Sequence, residues 1–80
     1  MGSNETLPPL PELKLGAYRH YSGKEYDIVA IARHSETLEP LVVYRARYGD
    51  AAVWVRPYEM FVGSVVKDGV SIPRFSWIRA

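Results

Sequence analysis

The sequence predicts an all-β domain, a small SH3-like barrel or roll of five to six short strands with one short helical turn near Pro57–Phe61. Three observations lead there. Runs of β-branched and aromatic residues recur at close spacing, and Ser22-Gly23-Lys24, Gly49-Asp50 and Asp68-Gly69 separate them with turn chemistry. The chain has only 80 residues, 48% of them hydrophobic, and no cysteine. At that size a single core rarely supplies more than about 3–5 kcal/mol, and neither a disulfide nor a thiolate zinc site can add to it. A curled sheet buries large aromatics with few residues and leaves little exposed edge.

Met1 to Lys14 lacks an apolar period and holds Pro8, Pro9 and Pro11, so residues 1–14 are expected as a flexible, Pro-containing tail before a single domain over 15–80. Its first six residues fit a myristoylation pattern too permissive to carry weight. Gly16 to Tyr21 is a short aromatic strand. Tyr26 to His34 is a long run of β-formers with apolar residues in both its even set (Tyr26, Ile28, Ala30, Ala32) and its odd pair (Val29, Ile31). That pattern predicts a central strand covered on both faces. Pro40 ends the loop that follows, because it biases Glu39 away from helix. Leu41 to Tyr48 alternates Val42, Tyr44, Ala46 and Tyr48 against a face that turns cationic at Arg45 and Arg47. Ala52 to Arg56 is the next strand, and Pro57 suits the first position of a helical turn that would plug an open end with Met60 and Phe61. Asp68-Gly69 joins Val65-Val66 to Val70–Ile72 as a hairpin, and Arg74 to Ile78 forms the last strand.

Ten basic against nine acidic residues exclude a polyanion binder driven by bulk charge, though not one that uses a local patch. No apolar run approaches the roughly 18 residues of a membrane span, and the N-terminus lacks the layout of a signal peptide. A cytoplasmic protein with no membrane partner is expected. No cofactor motif is present.

Arg33-His34-Ser35-Glu36-Thr37 is the most conspicuous polar cluster, and Arg19-His20 is a second Arg-His pair on the strand that the Ser22-Gly23-Lys24 turn brings alongside. A shared rim would place the two pairs together. Seven of the ten basic residues are arginine, whose planar fork grips carboxylate or phosphate in two places and stacks on rings. Tyr44, Tyr48, Trp54, Tyr58 and Trp77 lie close to these arginines in sequence. The leading expectation is therefore a non-enzymatic recognition module. Its ligand-binding residues would be Arg19, Arg33, His34, Ser35, Glu36, Trp54 and Arg56, and its partner an anionic small ligand, a nucleic acid or a protein. One alternative is a small hydrolase or metal-dependent enzyme centred on His20, Ser35 and Glu36, with His20 as base for Ser35, or with His20, His34 and Glu36 as a three-ligand metal set. Against it, no glycine-rich turn into a helix supplies an oxyanion hole. A second alternative is a purely structural accessory domain, in which Ser35 and Thr37 cap the turn before Pro40, and Glu36 pairs with Arg33 or a cross-strand arginine.

Tyr18-Arg19-His20-Tyr21, the Arg33–Thr37 cluster with Glu39, Val42-Val43-Tyr44, Tyr48-Gly49, Trp54-Val55-Arg56-Pro57 with Phe61, and Arg74-Phe75 occur in that order. From about Leu15 to Ile78 the chain resembles the bacterial family called domain of unknown function 1653. The resemblance implies an SH3-like barrel and no particular activity. Arg47 stands where that pattern has Leu, and Ser22 where it has Lys, so the local charge differs.

Overall fold

A computed structural model describes residues 7–80, and Met1 to Thr6, with the myristoylation pattern and the start of the expected tail, lie outside the described residues. The architecture is all-β. Strands β1 (Ala17–His20), β2 (Glu25–Arg33), β3 (Pro40–Ala46) and β4 (Val53–Pro57) are followed by one helical turn, α1 (Tyr58–Phe61). The chain then makes β5 (Ser64–Lys67), β6 (Val70–Pro73) and β7 (Phe75–Arg79). Five strands form one antiparallel sheet in the order β4-β3-β2-β1-β7, and β5 pairs with β6 as a separate hairpin. No ladder joins β4 to β7, so the sheet curls without closing into a barrel. There are seven strands rather than five or six: each segment read as a strand forms one, and both arms of the Asp68-Gly69 hairpin count separately.

The long apolar run is the central strand, as its composition requires, but the reason for its double apolar pattern differs from the expectation. The β2–β3 register shifts between Ile28 and Ala30, leaving Val29 as the extra residue of a bulge. Ahead of the bulge Tyr26 and Ile28 pack on the core, and beyond it Ile31 does. The opposite face is not covered: Val29 is 47% exposed, and Ala30 is exposed as well. Two interleaved apolar sets thus record one buried face and a slip of one residue along it.

Val42, Tyr44 and Ala46 of β3 are all buried, in keeping with the alternation of that strand. Val42 and Tyr44 belong to a core of Tyr18, Val42, Tyr44, Phe61 and Phe75, against which Leu13, Tyr26, Ile28, Ile31 and Tyr58 pack. Phe61 is 1% exposed and stacks on Phe75 with ring centroids 4.1 Å apart, while Tyr18 and Tyr44 meet it edge-on, each at 5.4 Å. Edge-on and offset rings are the favourable aromatic arrangements, so a small core concentrates its stabilisation in this group. Pro57 is extended (φ −52°, ψ 140°) and ends β4, and the helical turn begins at Tyr58 rather than at the proline. Of the two side chains expected to plug the sheet, Phe61 does so and Met60 is 49% exposed. One turn of helix presents only one side to the sheet, and Phe61 occupies it.

Residues 8–15, most of which were expected in a flexible tail, form no strand but touch the domain at several points. The Arg33 guanidinium donates to the Pro8 carbonyl at 2.7 Å, the Tyr18 hydroxyl to the Lys14 carbonyl, and the Trp77 indole to the Leu15 carbonyl at 3.0 Å. Lys14 Nζ lies 3.5 Å from the centre of the Trp77 ring. Proline carbonyls remain acceptors although the ring nitrogen has no proton to give, which is why side chains rather than a ladder hold this segment.

Candidate functional site

The two Arg-His pairs do not share a rim. The Ser22-Gly23-Lys24 turn does set β1 beside β2, with Arg19 opposite Glu25 and the His20 amide donating to the Lys24 carbonyl. His20 therefore lies at the start of β2, whereas Arg33 ends it and His34 follows. The nine residues of β2 cover roughly 26 Å at ~3.3 Å per residue. The expected serine-hydrolase arrangement of His20, Ser35 and Glu36 is consequently not assembled: Ser35 Oγ donates to Glu36 Oε1 at 3.0 Å, and His20 is bonded to Ser22. The same separation removes the proposed metal set of His20, His34 and Glu36. Among the described residues no cluster of three or more His, Asp or Glu side chains is placed to hold a metal ion.

The Arg33–Thr37 cluster closes the β2–β3 connection. His34 Nδ1 accepts from the amides of Glu36 (3.0 Å) and Thr37 (3.2 Å), and the backbone of His34 bonds to Glu39 and Leu38, each at 2.8 Å. With two amides donating to it, Nδ1 is an acceptor, so its 3.6 Å approach to Glu36 is not an ion pair in this tautomer. The histidine, more than Ser35, caps the turn. Thr37 assists by accepting from the Glu39 amide at 3.3 Å. Arg33 turns to Pro8 and Glu36 to Ser35, so the expected Arg33–Glu36 pair is not formed.

Arg19 is also committed, donating to Glu25 Oε2 at 3.0 Å, and Arg79 approaches the other oxygen of the same carboxylate at 3.6 Å. The hydrogen bond from Arg19 is the main reason the Glu25 carboxyl titrates below its ordinary range. Arg47 pairs with Asp27 at 3.1 Å. These residues form a ladder of paired charge, three arginines on two carboxylates, across β7, β1, β2 and the residue after β3. The hollow of about 340 Å³ lined by Arg19, His20, Tyr21, Ser76, Trp77 and Ile78 borders it.

Trp54 and Arg56 belong elsewhere. Register places Trp54 opposite Tyr44 and Arg56 opposite Val42, on the core side of the sheet but towards its β4 edge. Here the aromatic floor continues past the part covered by Phe61 and opens as a groove of about 220 Å³ lined by Tyr26, Tyr44, Tyr48, Trp54 and Arg56. The rings run in series: Tyr48 to Tyr26 at 5.6 Å, Tyr26 to Tyr44 at 5.2 Å and to Phe75 at 5.8 Å, all near-perpendicular. Trp54 is 54% exposed at this face. The phenols of Tyr26 and Tyr48 share a 2.8 Å hydrogen bond, and burial together with that bond pushes the Tyr26 hydroxyl up to about 12. Arg56 Nε donates to the Tyr44 hydroxyl at 3.2 Å, and its guanidinium carbon lies 5.5 Å from the centre of Phe75. A fork held at Nε keeps its outer N–H groups aimed in a fixed direction.

The smaller groove is the better candidate because the cation that lines it, Arg56, is unpaired among the described residues. Among the described residues Arg56, Arg74 and Lys24 have no carboxylate within ion-pair distance, in contrast to Arg19 beside the larger hollow. Lys24 Nζ lies 4.7 Å from the centre of Tyr48, and Arg74 Nε donates to the Met60 carbonyl. The sequence signalled Trp54 and Arg56 and set Tyr44 and Tyr48 among the aromatics near the arginines, but missed Tyr26 as a groove residue and the pairing of Tyr26 with Tyr48. Their positions 22 residues apart become neighbours only through the β2–β3 register.

His20 borders the same floor, 4.9 Å from Phe75 ring to ring. Its Nδ1 accepts from the Ser22 amide at 3.2 Å and lies 2.9 Å from the Ser22 hydroxyl, so the neutral ring carries its proton on Nε2. Burial lowers its pKa, and the Arg56 and Arg74 cations push the same way. Folding therefore favours the neutral ring. The stability this contributes is fully present above the unfolded value of 6.5 and is lost as pH falls through the lower folded value. The urea midpoint is expected to fall between about pH 7.5 and about pH 5 in the parent protein, and to fall less in His20→Gln. Equal slopes in the two proteins would show that His20 does not sense these cations.

Fold and groove define a small all-β domain with an aromatic, arginine-bearing face. The chain belongs to the family described as protein of unknown function, DUF1653, whose model matches residues 16–77. It is similar to a crystal structure of a DUF1653 protein from Bordetella bronchiseptica, with 32% sequence identity over 84% of this chain and 88% of that one, at a TM-score of 0.75. No curated protein sequence matches it.

Proposed function

We propose that this protein is a non-enzymatic recognition module whose ligand seat is the groove between Trp54 and Tyr48, with Arg56 as its anion-gripping group. The observation that carries this reading is a guanidinium without a carboxylate partner among the described residues, held by the Tyr44 hydroxyl over an open aromatic floor. Arg19 and Arg47, by contrast, are exposed and each is paired with a carboxylate. Against this surface the residues Arg33 to Glu36 act as a structural turn, and Arg19 as part of the charge ladder. No helix among the described residues is long and apolar enough to cross a membrane, and action in the cytoplasm is part of this proposal.

Chemical-shift titration with benzoate and with inorganic phosphate tests it. The Trp54 indole N–H and the Arg56 Nε–H are expected to move most with benzoate, which carries both a ring and an anion. Arg56→Gln retains a donor for the buried Tyr44 hydroxyl but removes the charge, and is expected to weaken benzoate binding roughly tenfold or more. Shifts confined to residues 33–37, or none at millimolar probe, refute the assignment.

A further inference from the structure

Resting on that groove assignment, we infer that the ligand is single-stranded nucleic acid, one base of which stacks on Trp54 while its flanking phosphates meet Arg56 and Lys24. Size is the first argument. The groove, at about 220 Å³, is smaller than the ~300–1,000 Å³ that enclose drug-sized ligands. It suits one planar ring whose remaining parts run on along the surface. Ring chemistry is the second, since an indole 54% exposed beside two hydrogen-bonded phenols offers a flat apolar face with polar edges. Such faces accept any nucleobase, because every base has a π surface.

The placement of charge favours a strand over a free nucleotide or an acidic peptide. Lys24 lies over Tyr48, and Arg56 over Phe75, so the cations are distributed along the row of rings instead of converging on one point. Arg74, the chain neighbour of Phe75, donates to the Met60 carbonyl and has no carboxylate partner among the described residues. A phosphate cluster on a free nucleotide is typically cradled by a glycine-rich loop at a helix N-terminus, and α1 is only four residues long. The backbone of a strand, by contrast, carries one charge per nucleotide and meets cations spaced along its path. With a net charge of only +1 the protein has no bulk attraction for polyanions, so stacking must supply a large share of the affinity.

Fluorescence anisotropy with fluorescein-labelled eight-nucleotide oligo(U) or oligo(dT) tests this, beside an abasic oligonucleotide of the same length and the mononucleotide UMP as competitors. The base-bearing strands are expected to bind saturably and to outcompete both. Trp54→Ala is expected to weaken oligonucleotide binding roughly 5- to 150-fold, the range of one lost base–aromatic stack, and to leave abasic binding unchanged. Contact with two or three phosphates predicts a log–log salt slope of about −1.4 to −2.1. Abasic and base-bearing strands binding alike, UMP competing as well as the oligomer, or Trp54→Ala binding like the parent would each overturn the inference. If oligonucleotides fail while benzoate still moves Trp54 and Arg56, only the nucleic-acid assignment falls. If benzoate fails too, the groove itself is not the seat.

Discussion

Phe61→Ala is expected to leave the domain largely unfolded at 25 °C. Phe61 is the most enclosed large side chain, in contact with Tyr18, Tyr44 and Phe75 from three sides. Truncating a buried phenylalanine typically costs about 3–5 kcal/mol, the transfer of the ring plus the cavity it leaves. A single core in a chain of this length supplies about the same amount, so the loss removes nearly all of the margin. The change also frees α1, since four residues cannot hold a helical turn without tertiary packing. Near-ultraviolet circular dichroism and a urea titration provide the readout. Phe61→Leu, which keeps most of the volume, is expected to remain folded with a lowered midpoint. A melting temperature for Phe61→Ala within a few degrees of the parent would show that the aromatic cluster does not hold the sheet and the turn together.

Gly16→Ala is expected to be the second most damaging single change, for a backbone reason. Gly16 has φ +126°, and a Cβ built there would stand 2.2 Å from the carbonyl oxygen of Arg79. The obstacle is main chain, part of the β7 strand that pairs with β1 across a register shift at Ala17/Tyr18. The Gly16 carbonyl also accepts from the Ile28 amide at 3.1 Å, so movement to relieve the clash disturbs β2 as well. Backbone strain at such a residue costs about 1–3 kcal/mol, and the displacement of β7 adds to it. Gly23→Ala separates the two effects: Gly23 has φ +104° but no atom within 4 Å of the built Cβ, leaving strain alone. At roughly 4–8 °C per kcal/mol for a domain of this size, Gly16→Ala is expected to lower the melting temperature at least about twice as far as Gly23→Ala. Equal shifts would mean that β7 yields freely at Arg79.

Much of the strand pattern was legible in the residues. Val42, Tyr44 and Ala46 alternate with Val43 and Arg45, and that period is buried on the side the alternation names. Asp68-Gly69 does join β5 to β6, and β2 is the centre of the sheet. The candidate site was less legible. Arg33-His34 and Arg19-His20 look alike as words, yet one turns its imidazole onto two loop amides and the other onto Ser22 beside the aromatic floor. Conspicuous polar words proved to be turn-closing devices, while the groove depends on Tyr26, which carries no local signal, meeting Tyr44 and Tyr48 across the sheet.

Local chemistry acts over a few residues. The sequence alone therefore determined where strands run, where they turn, and that aromatics rather than cross-links stabilise so short a chain. Only tertiary structure decided which end of each strand meets which, through the Val29 bulge, the β2–β3 register and the seating of Phe61. Lateral position in a sheet is set by hydrogen-bonded pairing between distant segments, and a shift of one residue sends a side chain to the other face.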